Sequence, residues 1–350
     1  MNIVFSTTRQ WNPGDEFILM GCINLLSQHI GDFNPIIYNR NPQTRRARKF
    51  DIIKAIDNKL GKDFVEKFLD NSVKDRLPMD YADMVVFAGS PEWRGRRMTK
   101  LYSSILEHKL PTVFLGLGTS GKFTFTDENF TENEQDVFRK ALLVTTRDKD
   151  TKEGLAPIEA HHIPCPALFS SKESRVVKTV KKIGLMYGTD SAVACNNVSS
   201  KTYQYMIEVY NKILRDFGSD YEIEFVSHYI DELSPFKDDF KKEKIRYSYD
   251  AKDYLDIYNR YDLVIGYRVH GIGISASMGI PGIMISHDER STTVKGFLAD
   301  MVNVGTEYDE LHTLIRDTIE NIEQKSRAIQ AHKEETRDTY LSLFKNTIPT

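Results

Sequence analysis

The chain opens on a short apolar run, Asn2–Thr7, followed by a polar turn, Trp11-Asn12-Pro13-Gly14-Asp15. Apolar residues then return at helical spacing from Phe17 to about His29, and Asp15 is suited to cap that helix. Further strand-length apolar runs lie at Pro35–Tyr38, Asp83–Ala88, Thr112–Leu117 and Ala141–Thr146. Helical patterns around Thr99–His108 and just after Arg147-Asp148 fall between and beyond them. Strands alternating with helices at these lengths predict βαβ units and a mainly parallel sheet.

The rhythm breaks at Ile163-Pro164-Cys165-Pro166 and the polar stretch Ser170–Lys182, which reads as a linker. Strand patterns then resume at Lys182–Tyr187, Tyr221–Ser227, Tyr261–Gly266 and Gly282–Ser286. Helices are expected at Ser200–Phe217, Ala251–Asn259 and His270–Met278, and a charged, helix-prone segment runs from about Glu307 to Phe344. The expectation is an α/β protein of two Rossmann-like domains, residues 1–170 and 180–302, facing each other across a cleft. Residues 303–350 are expected to be helices packing back on the first domain. In such folds ligands bind beyond the carboxyl ends of the strands.

Composition narrows the classes. A chain of 350 residues suits two domains better than one, and 40% hydrophobic residues supply a sizeable core. Lys and Arg number 47 against 50 Asp and Glu, so no global nucleic-acid footprint exists. Cys22, Cys165 and Cys195 are odd in number and widely spaced, which argues against a disulfide framework or a zinc ribbon. With no signal-peptide pattern and no apolar run near membrane length, the expected location is the cytoplasm and no transmembrane segment is expected.

Chemistry concentrates at strand ends. Tyr261–Gly266 runs into Tyr267-Arg268-Val269-His270-Gly271-Ile272-Gly273, where a small-residue helix begins. First-turn N–H groups, the positive end of the helix dipole, a guanidinium and an imidazole together make an anion site. Gly271 and Gly273 would let a ligand approach the backbone. An ion pair at Arg268 and a cap at His270 would account for the same residues without function. Asn12, Gly14 and Asp15 follow the first strand and Arg147-Asp148 the strand at Ala141–Thr146, which places both beside the cleft. A helix cap and a surface ion pair are the alternatives there. Ser90 and the stretch Glu92-Trp93-Arg94-Gly95-Arg96-Arg97 follow the strand at Asp83–Ala88, and a guanidinium–aromatic platform there would suit an anionic or carbohydrate ligand. Arg45-Arg46-Arg48-Lys49 reads as the polar face of a helix. The Asn12–Asp15 turn is neither GxGxxG nor GxxxxGK[ST], and the chain carries neither HExxH nor GxSxG. No metal constellation is apparent.

Taken in order, these motifs resemble the polysaccharide pyruvyl transferase family over roughly residues 2–302. The carrying residues are Asn12-Pro13-Gly14-Asp15, Arg147-Asp148 through Leu155, and Arg268-Val269-His270 through Gly279-Ile280-Pro281. Asp288 and Lys295 follow them. Two departures stand out. Ala88-Gly89-Ser90-Pro91-Glu92 replaces the family's run of glycines, and Cys165 stands before Pro166-Ala167 where the family usually has Asp.

The resemblance implies a GT-B-type fold and transfer of pyruvate from phosphoenolpyruvate onto sugar hydroxyls as a ketal. It implies His270 as general acid, and Arg268, Arg147, Gly271 and Lys295 as donor-binding residues in the second domain and at the cleft. Asn12, Gly14, Asp15, Ser90, Glu92, Trp93 and Arg94 would line the acceptor side. Phosphoenolpyruvate would be a substrate, with no cofactor, and a glycan or lipid-linked saccharide the acceptor. No nucleic-acid partner is implied, and a homo-oligomer is compatible. Two other readings share the features: a GT-B glycosyltransferase with a nucleotide-sugar donor, and a non-catalytic glycan- or anion-binding protein.

Overall fold

The computed structural model of the chain describes residues 1–8, 12–40, 79–89, 93, 98–119, 121–126, 128–191 and 198–349. Among these, two six-stranded sheets form, and every strand pairing is parallel. The first has the order β2-β1-β3-β4-β5-β6, from strands β1 (Asn2–Thr7), β2 (Asn34–Asn39), β3 (Met84–Ala88), β4 (Thr112–Leu117), β5 (Leu143–Thr146) and β6 (His161–His162). The second has the order β12-β11-β10-β7-β8-β9. Its strands are β7 (Lys182–Met186), β8 (Glu222–Val226), β9 (Ile245–Arg246), β10 (Leu263–Gly266), β11 (Gly282–Ser286) and β12 (Asp300–Asn303). The central strands β3, β4, β7 and β10 are buried at every position, as unbroken apolar runs in a parallel sheet covered on both faces should be. The edge strands β6, β9 and β12 carry no such signal and lie outside the sequence expectation.

Among the described residues, the helices of the first part are α1 (Pro13–Ile30), α2 (Thr99–Glu107), α3 (Glu132–Lys140) and α4 (Lys149–Gly154). Those after β7 are α5 (Ser200–Phe217), α6 (Leu233–Asp239), α7 (Asp253–Asn259) and α8 (Val269–Ser277). The last two are α9 (Tyr308–Glu320) and α10 (Ile322–Thr347). Asn12, not Asp15, caps α1: its Oδ1 accepts from Gly14 N at 3.0 Å, and Pro13 takes the first helical position, where its missing N–H costs nothing. Asp15 lies within the first turn and is buried.

Helix α8 sits where the two sheets meet. Seven of its nine residues are buried, which small side chains permit. Long α10 touches both parts of the chain. Ser326 Oγ donates to Gly279 O at 2.6 Å, Tyr340 Oη donates to Pro164 O at 2.9 Å, and His29 Nε2 lies 3.0 Å from Ile348 O. One large apolar core runs through α1, both sheets and α10, from Ile3 to Ile348. A second fills the other face of the first sheet, where Phe114 and Phe138 stack 4.1 Å apart. Among the described residues, no helix is long and apolar enough to cross a membrane.

Candidate functional site

The carboxyl ends of both sheets point toward one another, and the candidate site forms between them. From the first sheet, β5 ends at Thr146 and Arg147 follows, its backbone N–H donating to Leu117 O at 2.9 Å. Asp148 caps α4 by accepting from Thr151 N at 2.7 Å, and its other oxygen accepts from Thr119 N at 3.4 Å. Trp93 Nε1 donates to Gly118 O at 2.8 Å. These bonds fix the 118–119 loop against Arg147. A Cβ on Gly118 would lie 2.4 Å from Arg147 Nε, so the guanidinium occupies the space that a side chain at 118 would need.

From the second sheet, β10 ends at Gly266 and α8 opens at Val269, with Arg268 as its extended N-cap. His270, in the first turn, reaches across. Arg147 Nη1 donates to His270 Nε2 at 2.8 Å, while the opposite side of the ring faces the start of α1. A Cβ on Gly14 would come within 2.8 Å of His270 Nδ1. The N-termini of α1 and α8 therefore converge on one imidazole and one guanidinium. Both carry partial positive charge, so the volume between them favours an anion.

Electrostatics sharpen this. Burial, followed by the charges of Arg147 and Arg290, holds His270 well below the ordinary histidine range. The ring is neutral and accepts from Arg147 through Nε2, which puts its proton on Nδ1. Arg147 is 6% exposed, and among the described residues its Nε has no hydrogen-bond partner. Cys165 lies beside it. Burial pushes that thiol up, and the Arg147 charge only partly offsets the rise, so Cys165 stays neutral. In the position where the family carries Asp, this chain thus places a group that cannot neutralise Arg147.

Arg268 behaves differently from the sequence expectation. Its Nη2 is engaged by the fully buried Glu232, and its guanidinium is flanked by the rings of Tyr229 and Tyr267 at 4.5 and 4.4 Å. Glu232 is itself gripped by Ser227 Oγ at 2.6 Å and by the backbone N–H groups of His228 and Tyr229 at 3.1 and 3.2 Å. Arg268 is a compensated, stacked cation that braces the start of α8, and its buried Nε has no hydrogen-bond partner among the described residues. The guanidinium that contacts His270 is Arg147.

Two further expectations change. Gly271 does not open the backbone to a ligand, because its Cβ direction points at Met186 Sδ (2.4 Å) and Tyr258 Oη (2.6 Å). It lets α8 pack on the second sheet. Trp93 is fully buried among Phe123, Phe130 and Phe138, so it is core and not an exposed platform. An indole surrounded by three phenyl rings gains more from that packing than from a solvated loop. Lys295 is exposed on the 3-10 turn Glu289–Phe297. Asn12, Gly14 and Asp15 do form the first turn of α1 beside His270. Ser90, Glu92 and Arg94 lie outside the described residues, as do Gly95, Arg96, Arg97, the 45–49 basic cluster and Cys195.

Sequence reasoning missed Glu232, His228 and Arg290. His228 follows β8 and is buried. Its Nε2 lies 2.8 Å from Tyr258 Oη, and its ring packs against Phe17 of α1. Arg290 follows β11, a strand-end position that would have flagged it by the same rule as Arg147. Among the described residues, no group of three His, Cys, Asp or Glu side chains is placed to hold a metal ion.

Comparison with solved structures places this arrangement in a fold class. The putative UDP-N-acetylglucosamine 2-epimerase from Listeria monocytogenes aligns over 98% of this chain and 95% of its own, with a TM-score of 0.56 and 14% identity. UDP-GlcNAc 2-epimerase from Neisseria meningitidis, solved bound to UDP-GlcNAc, aligns over 99% and 100%, with a TM-score of 0.52 and 11% identity. The glycotransferase of kitacinnamycin aligns over 99% of each chain, with a TM-score of 0.50 and 9% identity. At these identities the likeness is one of fold: the chain has the GT-B-type architecture. No curated protein sequence matches it.

The sequence pattern of the family described as polysaccharide pyruvyl transferase matches residues 12–289, from the α1 cap to the turn after β11. The chain belongs to that family, a family of transferases that act on glycans.

Proposed function

We propose that this protein moves the pyruvyl group of phosphoenolpyruvate onto two hydroxyls of a saccharide, forming a ketal and releasing phosphate. The observation that carries the reading is the contact of Arg147 with a neutral His270 between two converging helix N-termini. Phosphoenolpyruvate brings a carboxylate and a phosphate on a three-carbon frame. Arg147 offers an Nε with no hydrogen-bond partner among the described residues and an Nη1 that donates to a histidine nitrogen. A planar anion that takes both draws Nη1 away from the imidazole. Nε2 is then free, and the nearby anion favours imidazolium where Arg147 had disfavoured it.

The chemistry follows in balanced steps. His270 Nε2–H protonates C3 of the enol, and C2 becomes an oxocarbenium centre. A sugar hydroxyl adds to C2 and returns its proton to His270. The bond from C2 to the phosphate oxygen breaks, a second hydroxyl closes on C2, and its proton leaves with phosphate. Such positioned proton transfer is worth roughly 10²–10⁴ in rate. The helix N-termini and Arg147 stabilise the departing phosphate electrostatically. Arg268 acts through α8, holding its first turn against Glu232.

Phosphate release from phosphoenolpyruvate, measured with and without a glycan fraction, tests the reading, alongside thermal shifts with phosphoenolpyruvate and with UDP-GlcNAc. Acceptor-dependent release with a shift for phosphoenolpyruvate supports it. A shift for UDP-GlcNAc alone supports a nucleotide-sugar donor, the ligand class bound by the Neisseria structure.

A further inference from the structure

The turn after β11 carries polar groups that the donor does not use. Strand β11 lies beside β10 in parallel register, Gly266 opposite Met284, so residues 287–291 emerge next to Arg268 and His270. The rings of Tyr267 and His287 meet at 5.5 Å, and the charge of Arg290 reaches His270. Within the turn, the side chains of the described residues hold Asp288 through Oδ2. Arg290 Nε donates to Oδ2 at 2.9 Å, Arg290 Nη2 donates to the same atom, and His287 Nε2 lies 3.4 Å from it. The second oxygen, Oδ1, is buried without a hydrogen-bond partner, and so is Ser291 Oγ, on a fully buried residue.

An unsatisfied buried acceptor of this kind costs about 1–3 kcal/mol, and folded proteins leave few of them. What suits Asp288 Oδ1 is a donor. Phosphate and carboxylate oxygens bring none at neutral pH and would be repelled by it. A sugar hydroxyl both donates and accepts, so neighbouring hydroxyls can bond to a carboxylate oxygen and a guanidinium together. A ketal needs two hydroxyls brought to one carbon, and a paired acceptor and donor is the matching surface for a diol.

We infer that the turn 287–291 is the acceptor subsite, with Asp288 and Arg290 holding two hydroxyls of a saccharide against the donor at Arg147 and His270. The inference rests on the pyruvyl-transfer reading and moves acceptor recognition onto the second sheet. Asp288 receives a hydrogen bond there and not a proton. Burial alone would push its carboxyl up, but Arg290 outweighs that and holds it below the usual range.

The test uses the full chain, with Asp288→Asn and Ser291→Ala as variants. Saturation-transfer NMR with methyl glucoside, methyl galactoside and methyl mannoside reads saccharide binding. Calorimetry with phosphoenolpyruvate on the same preparations reads the donor. The expected result is a glycoside signal at least about fivefold weaker in Asp288→Asn, the size of one lost hydrogen bond to a charged group. Donor affinity stays within about twofold of wild type in both variants, a few tenths of a kcal/mol. Ser291→Ala, which keeps the Asp288–Arg290 pair, guards against a folding artefact and weakens the glycoside signal less. An unchanged glycoside signal in Asp288→Asn, or none from the wild type with any of the three sugars, overturns the assignment. So does a donor affinity about tenfold weaker in Asp288→Asn with the sugar signal intact, because the pair would then serve the donor. Failure of phosphoenolpyruvate to bind the wild type strikes the pyruvyl-transfer reading instead and leaves the saccharide arm readable.

Discussion

Arg147 Nη1 lies 2.8 Å from His270 Nε2, and this contact joins the strand end of one sheet to the helix start of the other. It makes the proton affinity of His270 depend on where Arg147 points. Removing the cation should therefore move the histidine. In Arg147→Ala the His270 pKa is expected to rise, while burial and Arg290 still keep it below 6.5. An imidazole titration by NMR measures this directly. An unchanged pKa would mean that Arg147 exerts no field on the ring. Donor affinity in the same variant should fall by about tenfold or more, because a charge-assisted bidentate contact is lost.

Gly118→Ala should separate the site from the fold. The added methyl meets Arg147 Nε at 2.4 Å, and a flexible side chain can yield where a backbone cannot. Thermal stability should change by less than about 1 kcal/mol, because the Arg147 side chain can move aside. Affinity for phosphoenolpyruvate should fall by about tenfold, more than 1 kcal/mol. Retained affinity would show that Arg147 is not held by that loop.

Glu232→Gln tests the role of Arg268. It leaves a buried guanidinium without its counter-charge, a change worth about 3–5 kcal/mol of stability. Chemical denaturation should register that loss. A variant as stable as wild type would place Arg268 in contact with solvent or ligand.

Lys333 on α10 supplies a pH signature. Its amine donates to Ser171 O at 2.9 Å and to Ser277 O at the end of α8, and burial with Arg337 nearby pulls its pKa down to about 8 from 10.5. Between these values the unfolded chain binds more protons at this residue than the folded one, so its contribution to stability rises with pH. Melting curves at pH 7.5, 8.5 and 9.5 should show that rise in wild type relative to Lys333→Met. Parallel curves for the two proteins would contradict it.

Much of this was readable before any coordinates. Leu263–Gly266 is an unbroken apolar strand that stops at a glycine, so Arg268 and His270 had to emerge at a strand end. The same logic located Arg147. What could not be read is what those side chains meet. Glu232 lies 36 residues from Arg268 in a 3-10 turn, and nothing local marks it as a buried partner. Trp93 sits in an arginine-rich stretch whose polarity hid its burial against phenyl rings from residues 123–138. The edge strands β6 and β9 are two residues long, too short for a period of two to show. Glycines at 14, 118 and 271 read alike as sequence, and only packing tells which of them shapes a site.

The central claim is that the donor displaces Arg147 from His270 and loads the proton that the reaction needs. Imidazole NMR of nitrogen-labelled protein, titrated with phosphoenolpyruvate between pH 5.5 and 8 and assigned with His270→Gln, tests it most directly (the range brackets the ordinary histidine pKa of about 6.5). The account predicts a neutral His270 across that range without donor. With donor bound, the pKa should rise into that range, the effect of exchanging a nearby cation for an anion. A His270 that remains neutral throughout with phosphoenolpyruvate bound would contradict it.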